Sequence, residues 1–89
     1  MSFQELKRQV LAKGAAAIRC GATDNPNRRK NEYSENGYFG VMMYSQVSDM
    51  KKAENELLAM KDWPRNKERH SNKHPNESGY VYFIYKNNY

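Results

Sequence analysis

The stretch Arg19–Tyr33, RCGATDNPNRRKNEY, holds the residues whose types and spacing could do chemistry. An apolar run ends at Cys20-Gly21, a polar turn Thr23-Asp24-Asn25-Pro26 follows, and a short basic helix then begins. Asn25 is placed to cap that helix, and Pro26 to fill its first position, where a missing N–H costs little. Backbone N–H groups at a helix start, with Arg28 and Arg29 beside them, make a ready phosphate site. Arg29 and Tyr33 lie four residues apart and therefore share one helix face. The competing reading of the same residues is a solvated basic face with no ligand.

Charge alone does not choose between them. The 89 residues carry 15 Lys plus Arg against 10 Asp plus Glu, a net charge of +5. Clustered basic charge attracts phosphates, whereas dispersed basic charge mainly keeps a protein in solution. The single cysteine, Cys20, excludes an internal disulfide framework and a multi-cysteine zinc site, and reads as a small buried residue. His70 and His74 stand four apart, but Ser71-Asn72-Lys73 between them and Pro75 after them argue against a helical metal pair. Solvation or phosphate contact is the expectation there.

The elements that must position these residues follow from length and pattern. A chain this short has surface for one core, so a single domain over residues 1–89 is expected. Ser2 and Glu5 have the spacing of a capping box, and Phe3, Leu6, Val10 and Leu11 then form one apolar stripe, giving an N-terminal helix within 1–14 that Gly14 stops. Ala15–Cys20 is a short strand. Tyr38–Val47 is rich in aromatic and β-branched residues and reads as a second strand. Ser48 or Asp49 caps the next helix, which buries Met50, Ala53, Leu57, Leu58 and Met60 and ends at Trp63-Pro64. Residues 61–78 form a polar loop with five Lys/Arg against three Asp/Glu. Loops of that length usually carry function or lack order. Gly79 opens Tyr80–Tyr85, apolar or aromatic on both faces, which predicts a central strand. The class is α+β, a small three-stranded, mostly antiparallel sheet flanked by helices. No apolar run approaches the roughly 20 residues that span a bilayer. Met1–Glu5 carries an early acid and no apolar signal core, so a cytoplasmic location is expected.

Gly21, Thr23, Asn25, Pro26, Arg29 and Tyr33 stand at the spacing of the second motif and first helix of the GIY-YIG nuclease superfamily, which this stretch resembles. The tyrosine of that family's YIG triplet is replaced by Arg19, and its isoleucine by Cys20. The family's opening GIY strand is absent before Arg19, but Gly79–Asn87, GYVYFIYKN, is similar to it. The resemblance thus implies a circular permutation, with residues 79–86 supplying the first motif and the basic loop 61–78 carrying the new connection. Permutation is tolerated where the old termini meet at the surface. Tyr82 matches the motif tyrosine, and Tyr80, on the same strand face, is the reserve.

The family also implies one metal-binding glutamate on the helix after the next strand, where Glu54 and Glu56 compete. On a helical wheel Glu54 lies about 60° from the apolar centre and Glu56 about 100°, so Glu54 is preferred. The alternative for Glu54 is a boundary residue paired with Lys51 or Lys61. What the resemblance implies is a nuclease that cleaves phosphodiester bonds with Arg29, Tyr33, Glu54 and Tyr82 as catalytic residues and a magnesium or manganese ion on Glu54. Arg19, Arg28, Lys30, Arg65, Lys67 and Arg69 would contact the nucleic acid. A hard cation takes carboxylate oxygen and keeps waters, and an arginine fork fits phosphate. Two other functions are left open: a nucleic-acid-binding module that does not cleave, and a small protein-binding inhibitor or adaptor from a mobile element. A homodimer is a further open partner state, and no membrane partner is expected.

Overall fold

The structure, a computed structural model, describes residues 1–35, 40–66 and 75–86. Helix α1 spans Phe3–Lys13, starting where the Ser2 hydroxyl accepts a bond from the Glu5 N–H (3.1 Å). Gly14 ends it at φ 54°, a left-handed value that an L side chain rarely adopts. One 3₁₀ turn, Gly14–Ala16, leads into strand β1, Ala17–Thr23. The strand therefore starts two residues later than expected. Ala15 and Ala16 have little β-propensity, and the turn lets the chain reverse from helix to sheet.

Helix α2 spans Pro26–Glu35, strand β2 Val41–Val47, helix α3 Met50–Met60 and strand β3 Gly79–Tyr85. Asp49 is the residue that caps α3, its carboxylate accepting from Lys52 N–H at 3.1 Å. That bond, with one from Asn76, holds its carboxyl below the ordinary aspartate range. Of the expected second strand, residues 38 and 39 lie outside the described residues, as do Lys67, Arg69, His70 and His74.

The sheet is antiparallel in the order β1-β3-β2. β3 is central, and its run Val81 to Ile84 is buried on both faces. On one face α1 and α3 bury Leu6, Val10, Ala53 and Leu57 against Cys20, Ala22, Val81 and Phe83. On the other, Tyr33 of α2 packs with Ile18, Tyr82 and Ile84, and Met42 of β2 joins them. Leu11, counted in the apolar stripe of α1, is 71% exposed.

The outer edge of β1 is closed by the segment after α3. Arg65 N–H donates to the Ile18 carbonyl at 3.0 Å, and the Asn66 side chain bonds both the N–H and the carbonyl of Cys20 at 3.0 Å. Trp63 anchors this segment by donating its indole N–H to the Leu57 carbonyl at 2.8 Å. Lys61 ties the same region to the α1 terminus through the Gly14 and Ala17 carbonyls, and its partial burial lowers its pKa.

Candidate functional site

The α2 face of the sheet gathers residues from both ends of the chain. Strand register places Tyr82 opposite Gly21, with Tyr44 of β2 on its other side. The absence of a side chain at Gly21 is what admits the Tyr82 phenol: a Cβ there would lie 2.5 Å from the hydroxyl oxygen. The Tyr82 hydroxyl meets the Tyr33 hydroxyl at 2.7 Å, with the rings edge to face at 5.9 Å. Tyr82 is 3% exposed, whereas Tyr33 is half-buried and so is the member of the pair that solutes can meet. Burial raises the Tyr82 pKa well above the ordinary phenol value, the neighbouring Tyr33 adds to this, and Arg29 and Arg19 oppose it. A neutral Tyr82 at physiological pH is a hydrogen-bonding group rather than a base.

The arginines stand around this pair. The Arg19 guanidinium lies 5.2 Å from the Tyr33 ring centroid, a cation–π contact, and its Nη1 donates to the Arg65 carbonyl at 3.4 Å. Arg29 is half-buried and pairs through Nη1 with Glu32 at 3.2 Å. Its Nε is shielded from solvent and has no hydrogen-bond acceptor among the described residues. A buried donor left so costs about 1–3 kcal/mol.

The start of α2 is closed more fully than the sequence suggests. Asn25 Oδ1 accepts from the Arg28 N–H at 3.1 Å, and the Thr23 hydroxyl accepts from the Asn25 N–H at 3.1 Å. Pro26 has no N–H to offer. Arg28 is drawn into ion pairs with Asp24 and with Glu32. Lys30 is exposed and makes no ion pair among the described residues. Arg65 is exposed at the covered edge of β1.

Glu54 stands apart from these groups. It lies on α3, whose buried face packs on the opposite side of the sheet from Tyr82 and Tyr33. The residue is 8% exposed, yet its carboxylate makes no hydrogen bond or ion pair among the described residues, so neither Lys51 nor Lys61 neutralises it. It is close enough to Cys20 to reinforce the effect of burial, which raises the thiol pKa. Glu56 is the more exposed of the two and pairs with Lys7 at 3.7 Å. Among the described residues no three His, Cys, Asp or Glu side chains cluster as metal ligands.

The structure thus brings together Arg19, Arg29, Tyr33 and Tyr82, and leaves Glu54 on α3, which packs on the opposite face of the sheet. Tyr80, on the same face as Tyr82, turns its ring to Tyr44 instead of to α2. Residue type and spacing alone do not single out Asn66 and Tyr44. Asn66 sits in a polar loop like many asparagines, but the even spacing of Met42, Tyr44 and Gln46 does place Tyr44 on one sheet face. No protein-family model, curated protein or solved structure matches this chain.

Proposed function

We propose that this domain binds the phosphodiester backbone of nucleic acid at the Arg29–Tyr33–Tyr82 face and acts on it as a GIY-YIG-like, circularly permuted, metal-dependent nuclease. The observation that carries this reading is the Tyr33–Tyr82 hydroxyl contact over Gly21, which joins side chains 49 residues apart in sequence. Those residues, with Arg29, fill positions of the family motif that the sequence resembles. Arg29, whose side chain is about a third exposed, would meet a phosphate oxygen with its guanidinium, offsetting charge that grows during displacement. Tyr33 would meet the substrate, and Tyr82, held neutral beneath it, would fix the orientation of its hydroxyl.

A carboxylate that is nearly buried and has no partner among the described residues suits a hard cation, and Glu54 has that character. One carboxylate alone would leave such an ion most of its waters, as magnesium prefers. When bound, such an ion would supply Lewis-acid chemistry, but at Glu54 it would stand on the sheet face opposite a phosphate held by Arg29 and Tyr33.

A second reading, binding without cleavage, is favoured by the separation of Glu54 from the tyrosine face by the sheet. Cleavage assays separate the two. With magnesium or manganese, DNA or RNA should be cut and a chelator should stop the reaction. Glu54→Gln should abolish turnover while binding survives, and Arg29→Ala should lower turnover by about two orders of magnitude. Glu56→Gln should leave turnover unchanged. Arg29→Ala should also lower the salt slope of binding by roughly one counterion. Equal losses at Glu54 and Glu56 would defeat the metal assignment. Salt-sensitive binding with no cleavage under any metal would establish the second reading.

A further inference from the structure

We infer that Tyr44 and Tyr80 form a stacking platform for an unpaired nucleobase, which directs the domain to single-stranded nucleic acid. The inference rests on the phosphodiester reading above and adds the substrate class. Tyr44 is 42% exposed on β2, an edge strand, and Tyr80 is half-buried beside it on β3. Their rings meet edge to face with centroids 6.0 Å apart. An edge-to-face pair holds each ring steady, so little freedom is lost when a base lies against one of them. Neither hydroxyl makes a hydrogen bond among the described residues.

Position ties this pair to the arginines. Register sets Gly21, Tyr82 and Tyr44 side by side across β1, β3 and β2. Neighbouring strands are about 4.8 Å apart, so Tyr44 stands one strand from the tyrosine whose hydroxyl reaches α2. The occupant must therefore place an anion at Arg29 and a flat apolar group over Tyr44 a short distance away. A nucleotide with its base turned out offers both. Charge agrees with this occupant: the chain carries a net +5, and the exposed Lys30 belongs to the same helix as Arg29. In a duplex the base faces are already stacked on one another and closed to a tyrosine ring. Only an unpaired strand or loop fits.

Binding of a fluorescein-labelled oligonucleotide, followed by anisotropy with the full chain, tests this. The probes are a single strand, the same strand in duplex, and the same strand with abasic sites, which keep the phosphates and remove the bases. The single strand should bind best, and Tyr44→Ala should weaken it roughly 5- to 150-fold, the range for loss of one base–aromatic stack. Tyr44→Phe keeps the ring and should bind as the parent does. On the abasic strand Tyr44→Ala should change nothing. Because Tyr44 is exposed, its replacement should leave the fold intact, which the far-UV spectrum and melting point check. If Tyr44→Ala binds the single strand as the parent does while Arg29→Ala does not, the platform is wrong and the phosphodiester reading stands. A preference for duplex, or equal loss on normal and abasic strands, also overturns the platform. Absence of binding to every probe overturns both.

Discussion

Gly21→Ala tests the packing on which the candidate site depends. The new Cβ would lie 2.5 Å from the Tyr82 hydroxyl oxygen, 2.8 Å from Cζ and 3.2 Å from Cε1. Non-bonded carbon contacts are relaxed at about 3.5–4.0 Å, so the ring tip must retreat by roughly 1 Å. Tyrosine is stiff, and this one is 3% exposed with Ile18, Ile84 and Tyr33 around it, which leaves no open direction. Overpacking of this kind costs about 1–3 kcal/mol. A shift of that size also breaks the 2.7 Å bond to Tyr33, adding roughly 0.5–1.5 kcal/mol. The sum, about 2–4 kcal/mol, is a large part of what a domain of this size has to lose. At about 4–8 °C per kcal/mol, the melting point should fall by roughly 8–32 °C. Gly21 does not have a positive φ, so backbone strain does not contribute.

Urea unfolding of Gly21→Ala, Tyr82→Phe and the double variant is the assay. Tyr82→Phe deletes the atom at 2.5 Å but leaves Cζ at 2.8 Å, so it should relieve part of the clash. The double variant should then be less destabilised than the sum of the singles by about 1 kcal/mol. A Gly21→Ala variant within about 0.5 kcal/mol of the parent would refute the packing, because that is the spread of an uninvolved surface change. Strict additivity in the cycle would refute the contact between the two residues.

Burial raises the pKa of both Tyr82 and Cys20, so at high pH the unfolded chain releases protons that the folded chain keeps. Stability should therefore be flat in these groups at neutral pH and fall as pH rises past about 8.5 for the thiol and about 10 for the phenol. The slope should be about 1.4 kcal/mol per pH unit for each proton, and Tyr82→Phe and Cys20→Ala should each remove one proton's share, as urea titrations at several pH values will show. Asn66→Ala leaves the Cys20 N–H and carbonyl without their partner at the β1 edge and should cost about 1–3 kcal/mol. Amide exchange should then accelerate at Cys20 while Phe83, on the central strand, still exchanges only through global unfolding.

The local features of this fold are written in short stretches of sequence. Ser2, Asn25 and Asp49 each accept an N–H three residues on, and each helix begins beside its cap. Gly79–Tyr85 shows its central place in its composition, because a strand apolar on both faces must be covered on both. These signals rest on interactions within about four residues, where chain geometry leaves few choices.

What the sequence left open was decided over longer distances. Helical periodicity turned Glu54 toward the protein interior, but it could not say which face of the sheet α3 would cover, and that choice separates Glu54 from Tyr82. Leu11 follows the stripe of α1, yet the core does not extend to it. Whether Tyr80 or Tyr82 would meet Tyr33 was also undetermined, since the two share a strand face. The β1–β3 register decides it by setting Tyr82 against Gly21 and Tyr80 against Thr23, so that only one phenol has room beneath α2. A pattern of residue types fixes which face a side chain takes along its own strand or helix. Which neighbour it then meets depends on how separate elements pack, and that is a property of the whole chain.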